Sequence, residues 1–215
     1  MAAYPTPVFD GLIDRVLALA ARRTRVLIGI AAPPGAGKST LADAVRGALR
    51  LRGFRPDELA VVPMDGFHLA DVTLDALGRR DRKGALDTFD GDGYAAALRR
   101  LRAGEPRTVY LPGFERGLEQ PIAAAVAVPA SARVVITEGN YLLVEDEPWD
   151  EIAGLLDECW YLDVDAEVRR ARLIARHVEF GKSADAAREW VLSVDEPNAE
   201  LIAATRGRAS LVVAL

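Results

Sequence analysis

The run Ala32-Pro-Pro-Gly-Ala-Gly-Lys38-Ser-Thr40 gathers the residue types that bind a chain of phosphates. Gly35 and Gly37, with Ala36 between them, let the backbone bend tightly, so that its N–H groups point at an anion. Lys38 is expected to reach the outer phosphates, Ser39 to place its hydroxyl on a magnesium ion, and Thr40 to open the helix behind them. In the pattern G-x-x-x-x-G-K-[ST] the leading glycine is replaced here by Ala32, the smallest change a side chain can make, and is expected to be tolerated. A chance Gly/Lys loop is disfavoured by its flanks. Val26–Ile30 is a branched apolar run suited to a buried parallel strand, and Thr40 to about Arg52 is helix-competent.

Two carboxylates follow at the ends of other strand-like runs. Leu59-Ala-Val-Val-Pro63 leads into Met64-Asp65-Gly-Phe-His68, and Arg133-Val-Val-Ile-Thr-Glu138 ends in a glutamate. In an open parallel sheet, ligands collect outside the carboxyl ends of the strands. Asp65 is therefore placed to accept a proton from a substrate hydroxyl, and Glu138 to act on magnesium directly or through water. Either could alone be the cap of the next turn; the two together beside a phosphate loop favour chemistry. Arg169, Arg172 and Arg176 recur at helical spacing after Cys159-Trp-Tyr-Leu162, a face suited to charge that builds on a transferring phosphoryl group. Lys182, beyond Gly181, is a further phosphate contact in a lid hinge. His68 is placed either to touch substrate or orient the base, or to stabilise a turn. His177 reads as stabilising the end of the lid helix. Trp149, Trp160 and Trp190 read as core.

Alternating strands and helices position these groups. Phe9–Arg23 is an amphipathic helix, Gly93–Leu101 another, and Trp149–Leu156, Ala166–His177, Ala184–Val194 and Pro197–Ala204 are further helices. Val109–Leu111 and Ala125–Val128 read as a strand pair, and Ser210–Ala214 as a fifth core strand. The fold class is α/β: a doubly wound sheet of about five parallel strands with flanking helices, a small substrate flap and an Arg-rich lid. One domain is expected over residues 1–215, with the flap at about 66–129 and the lid at about 166–190. The net charge of −5 and the lack of a basic block disfavour nucleic acid as partner. The single cysteine, Cys159, allows no intrachain disulfide and reads as a buried strand residue. The N-terminus lacks the basic and apolar regions of a signal peptide, and no run approaches membrane-spanning length, so a cytoplasmic location is expected.

Ala31-Ala-Pro-Pro-Gly-Ala-Gly-Lys-Ser-Thr40, Met64-Asp-Gly-Phe-His68, Thr137-Glu-Gly-Asn-Tyr-Leu142 and the arginine helix together resemble the phosphoribulokinase/uridine kinase family of P-loop kinases. The overall pattern is most similar to the short bacterial nucleoside/nucleotide kinase family, also called fructose-transport-system kinases. Arg82-Lys-Gly-Ala-Leu-Asp-Thr-Phe-Asp90 and Asn198-Ala-Glu-Leu-Ile-Ala-Ala-Thr-Arg206-Gly-Arg-Ala-Ser-Leu211 are similar to runs of bacterial pantothenate kinase. The resemblance implies ATP as co-substrate, with Mg2+, on Gly35, Ala36, Gly37, Lys38, Ser39 and Thr40. It implies Asp65 as catalytic base, Arg169, Arg172 and Arg176 in the lid, and Asn198 and Arg206 near the adenine.

The flap departs from the family. Tyr110-Leu-Pro-Gly-Phe114-Glu-Arg116 keeps a tyrosine but no histidine follows, and the run after the fifth strand is shorter than in pantothenate kinase. Neither pantothenate nor uridine is therefore carried over as acceptor. The acceptor is expected among His68, Arg82, Lys83, Tyr110, Phe114 and Arg116, with Asp65 and Glu138 behind them. Arg82 and Arg116 suit an anionic acceptor, Tyr110 and Phe114 a ring or sugar face, and Arg116 reads equally as an exposed loop charge. The function expected is kinase transfer of the γ-phosphate to a hydroxyl of a sugar, nucleoside or pantothenate-like alcohol. The alternative is a regulatory NTP-binding module with slow hydrolysis, which would have no use for a base aimed at an alcohol. The partners expected are ATP and a small-molecule acceptor, with no nucleic acid and no membrane; a homodimer is compatible with the sequence.

Overall fold

The computed structural model of the protein describes residues 6–214; residues 1–5, within the stretch read above as lacking a leader, lie outside it. The chain runs through α1 (Thr6–Ala20), β1 (Val26–Ala31), α2 (Lys38–Leu51), β2 (Leu59–Pro63), α3 (Asp71–Leu77) and α4 (Gly91–Ala103). It continues through β3 (Val109–Glu115), β4 (Gln120–Val128), β5 (Val134–Gly139), α5 (Ile152–Leu155), β6 (Glu158–Asp163) and α6 (Ala166–Glu179). The last elements are α7 (Ala184–Trp190), a π-helical turn (Val191–Asp195), α8 (Glu196–Ala204) and β7 (Leu211–Ala214).

Five strands form a parallel sheet in the order β2-β5-β1-β6-β7. Every residue of β1 and β5 is buried, as expected of strands covered on both faces. Alternation along β1 divides the core. Ile28 and Ile30 join Leu12, Val16, Leu41 and Val45 of α1 and α2 on one face. Leu27 and Ala31 join Tyr94, Leu98, Ile152 and Ile202 of α4, α5 and α8 on the other. Gly29 is required on the second face: a Cβ there would lie 2.5 Å from Leu156 Cδ1 and 2.9 Å from Cys159 Sγ. Burial pushes the Cys159 thiol up to about 12, which keeps it protonated and inert. Register aligns the functional edge. Ala31 of β1 lies beside Gly139, and Pro63 of β2 beside Glu138, so three chain segments leave the sheet at one level.

The fold departs from the sequence expectation in four places, the first being α3, a helix that the Gly-, Asp- and Arg-rich stretch after Asp65 did not mark. The β3–β4 hairpin is longer than the pair of short strands read from sequence, because pairing resumes beyond a bulge between Leu111 and Gly113. The exposed alanines of β4 carry no alternation that could have marked it. The helix expected over Trp149–Leu156 is only the four residues of α5; Trp149 instead packs its ring against Phe89, Tyr94 and Tyr141. Between α7 and α8 the helix does not stop but widens into the π turn. That turn accommodates Pro197, whose ring would clash with the carbonyl four residues back in a regular α-helix.

The turn carrying Asp65 is packed backbone to backbone under the hairpin. A Cβ on Gly66 would lie 2.2 Å from the Pro112 carbonyl oxygen. Neither backbone can give way cheaply, so Gly66→Ala is expected to displace the hairpin and destabilise the protein by about 1–3 kcal/mol. Thermal denaturation checks this; an unchanged melting temperature would contradict the close packing.

Candidate active site

The phosphate loop owes its shape to two left-handed glycines, Gly35 at φ 78° and Gly37 at φ 94°. Gly37 caps α2, whose first residue is Lys38, so the free N–H groups of that helix face the cleft. Lys38 Nζ donates to Ala32 O at 2.9 Å, to Pro33 O at 3.2 Å and to Asn140 Oδ1 at 2.6 Å. Ser39 Oγ donates to Glu138 Oε1 at 2.8 Å. Asp65 Oδ2 accepts from Arg116 Nη2 at 3.1 Å. His68 holds its Nδ1 2.8 Å from the Asp65 carbonyl oxygen. A carbonyl only accepts, so Nδ1 carries the proton and Nε2 is left as an acceptor. The His68 ring lies between Phe89 and Phe114, at centroid distances of 3.9 and 4.8 Å.

These groups share one cleft of about 860 Å3. Gly35, Gly37, Lys38, Ser39, Thr40 and Glu138 line it, together with Asp65, His68, Lys83, Phe114 and Arg116. Arg172 and Arg176 reach in from α6. Arg172 Nη1 comes within 4.0 Å of where a Gly37 Cβ would stand, beside the phosphate loop. Among the described residues neither the Arg172 nor the Arg176 side chain is hydrogen-bonded or ion-paired. Burial and the nearby Arg116 pull the Arg176 pKa down, against the opposing pull of Asp195, Asp65 and Glu119.

The carboxylates are set apart electrostatically. Burial pushes Asp65 upward, but His68, Arg116, Lys38 and Arg176 outweigh it and hold the group below its ordinary value, ionised at neutral pH. Burial, reinforced by the charge of Asp65, pushes Glu138 upward. Burial also depresses His68, so its pull on Asp65 acts only in the protonated form, and at neutral pH Arg116, Lys38 and Arg176 carry that effect. Lys38 is lowered by burial to about 8, against the pull of Glu138 and Asp65. Its charge is complete below that value and lost above it. Capture of an anionic nucleotide by the free protein is therefore expected to weaken as pH rises through about 8. The dependence of kcat/KM for ATP on pH, from about 6.5 to about 9.5, checks this, and a flat profile contradicts it.

The sequence expectation needs correction at several residues. Arg169 does not reach the cleft. It is 4 % exposed, ion-paired to Glu196 and donating to Pro34 O at 3.4 Å, so it props the phosphate loop from beneath. Arg82 turns to Asp87 at 2.9 Å, and its neighbours Arg80 and Lys83 line the cleft instead. Tyr110 is 62 % exposed and lies off the cleft wall. Arg206 pairs with Asp163 at 2.9 Å, and Asn198 approaches the Gly84 carbonyl at 3.4 Å; neither lines the cleft. Ala36 is buried in the core, offering the loop only its backbone. Trp190 is not core: it lines the cleft with the Lys182 ammonium 4.2 Å from its ring centroid. His177 holds Asp195 at 2.9 Å across the π turn.

Sequence reasoning missed Asn140, the side-chain partner of Lys38. Its position two residues beyond Glu138, at the end of a core strand, was the available signal.

A glycine loop on the central strand, a helix N-terminus behind it, a lysine, a Ser–Glu pair and unpaired arginines define a P-loop phosphotransferase site. The chain belongs to the phosphoribulokinase/uridine kinase family, whose family model matches residues 27–214. It is 36 % identical over 177 residues to a Schizosaccharomyces pombe protein named as a candidate uridine kinase, C227.14, covering 80 % of this chain and 75 % of that one. It is 41 % identical over 153 residues to the ATP-dependent kinase-like protein notR' of Aspergillus versicolor, covering 66 % and 88 %. The crystal structure of a candidate fructose transport system kinase from Silicibacter sp. TM1040 superposes with a TM-score of 0.83 at 34 % identity, over 95 % of this chain and 98 % of that one. This chain is a kinase of that family.

Proposed function

We propose that the protein transfers the γ-phosphate of ATP to a hydroxyl of a small alcohol of the sugar, nucleoside or pantothenate type. The observation that carries the reading is the meeting of the ionised Asp65 with Lys38 and the Ser39–Glu138 pair in one cleft. Loop amides and Lys38 bind and orient the phosphates. Arg172 and Arg176, unpaired in the cleft, meet charge that grows on the phosphoryl oxygens. Asp65 takes the proton of the acceptor hydroxyl as its oxygen bonds to the γ-phosphorus. The bond from that phosphorus to the bridging oxygen breaks, and its electron pair leaves with ADP.

Ser39 and Glu138 also fit magnesium. They are hard oxygen donors already 2.8 Å apart at the head of the loop, and this ion commonly binds one or two protein oxygens plus phosphates and waters. The ion, when bound, would neutralise phosphate charge.

A thermal-shift screen of metabolites, run with a non-hydrolysable ATP analogue and Mg2+, tests the reading. A specific ligand stabilises the folded state by mass action, by about 2.7 kcal/mol at a hundred times its Kd. An acceptor alcohol should raise the melting temperature above that with the analogue alone. Stabilisation by the analogue with no further effect of any alcohol would favour a nucleotide-binding module without an acceptor.

A further inference from the structure

Arg116 differs from every other cation of the cleft. Arg172 and Arg176 are unpaired. Lys83 and Arg80 are both held on Asp71, each at 2.7 Å. Lys182 rests on Trp190. Arg116 is bonded to the proposed base itself, through Nη2 and Asp65 Oδ2 at 3.1 Å. It follows directly on the end of β3, at the hairpin turn, and its guanidinium carbon lies 5.9 Å from the Phe114 ring centroid. The Arg116 side chain is 42 % exposed and that of Asp65 30 %, so solutes reach the pair.

A carboxylate held by a guanidinium is a poorer proton acceptor, because the bond stabilises its ionised form. A neutral alcohol offers Arg116 nothing in exchange for that bond. A second anion does: the guanidinium keeps a charged partner, while Asp65, released from it, stays within the field of Lys38 and Arg176. We propose that Arg116 gates the base: without acceptor it occupies Asp65, and an acceptor bearing its own carboxylate or phosphate draws it off and frees Asp65 for the hydroxyl. The inference rests on Asp65 being the base. It makes Arg116 a positioning residue, assigns the acceptor to anionic hydroxy compounds, and gives the site a means of withholding the γ-phosphate from water. The proton and phosphoryl transfers are those given above. With water as acceptor the proton again passes to Asp65, and the products are ADP and inorganic phosphate.

The experiment measures ADP release from Mg-ATP with no acceptor present. Arg116→Ala is expected to raise this hydrolysis about tenfold, the weight of about one pKa unit. Arg116→Lys, which restores the charge, should recover most of the suppression. Asp65→Asn/Arg116→Ala should fall to the level of Asp65→Asn alone. Arg116→Gln, closer in size, repeats the first comparison should the alanine variant fold poorly, with affinity for a non-hydrolysable ATP analogue as the check on integrity. A second arm pairs sugars with their phosphates and hydroxy acids with their amides. Wild type should consume ATP faster with the anionic member of each pair, and Arg116→Ala should lose that preference. Three results would each overturn the gate: hydrolysis in Arg116→Ala at or below wild type, a rise that survives in the double variant, or neutral alcohols as effective as anionic ones. Acceptor-stimulated turnover left intact by Asp65→Asn alone would instead remove the base assignment beneath it.

Discussion

Lys38→Ala is expected to reduce phosphoryl transfer by about a thousandfold or more while leaving the fold intact. The lysine sits at the first position of α2, and among the described residues its ammonium donates to the carbonyls of Ala32 and Pro33 and to the side-chain amide oxygen of Asn140. Asn140 lines the cleft, but Ala32 is fully buried and neither it nor Pro33 does, so losing the donor is expected to cost about 1–3 kcal/mol, short of unfolding the protein. The catalytic cost is large, because the ammonium is the cation that lies at the phosphate loop itself and neutralises the nucleotide. Burial lowers it to about 8, so its charge is present below that pH, where Glu138 and Asp65 help to hold it. Steady-state turnover and thermal denaturation of the variant check both halves. Near-normal turnover would mean that the loop does not hold the phosphates of the reacting nucleotide.

Asp65→Asn is expected to slow the chemical step by about two to four orders of magnitude, the usual weight of a positioned base. Asparagine keeps the shape of the side chain and loses the proton-accepting charge. Nucleotide affinity should change little, since the proposal gives the phosphates to the loop, Lys38 and the α6 arginines. Single-turnover rates together with ATP-analogue affinity separate the two effects. A variant that binds the analogue weakly but turns over bound nucleotide at the wild-type rate would move Asp65 to the nucleotide side of the cleft.

The half of the cleft proposed to grip phosphate has a shape that was legible in the sequence, because it rests on local rules. Gly35 and Gly37 follow a branched strand and precede a helix, so spacing alone assigns Lys38 and Ser39 to an anion. Asp65 and Glu138 were legible because parallel strands end at one edge, and the register of β2 and β5 places them there. The acceptor half depends on contacts distant in sequence, which spacing does not encode. Arg82 and Lys83 are neighbours, yet Asp87 takes one and Asp71 the other. Arg169 shares the helical face of Arg172 and Arg176, but the nearby Glu196 turns it into a prop for the loop. Trp190 looked like core because its apolar neighbours are core, whereas the π turn beside it aims its ring at the cleft. The length of the β3–β4 hairpin was hidden by exposed alanines that carry no pattern.

The central claim is transfer from ATP to an alcohol with Asp65 as base. Its most direct test is phosphorus NMR of mixtures of protein, Mg-ATP and the alcohols found by thermal shift, run in parallel with wild type and Asp65→Asn. The account predicts one phosphate monoester formed in step with ADP by wild type, and almost none by the variant. ADP accompanied only by inorganic phosphate, for every alcohol and equally in both proteins, would contradict it.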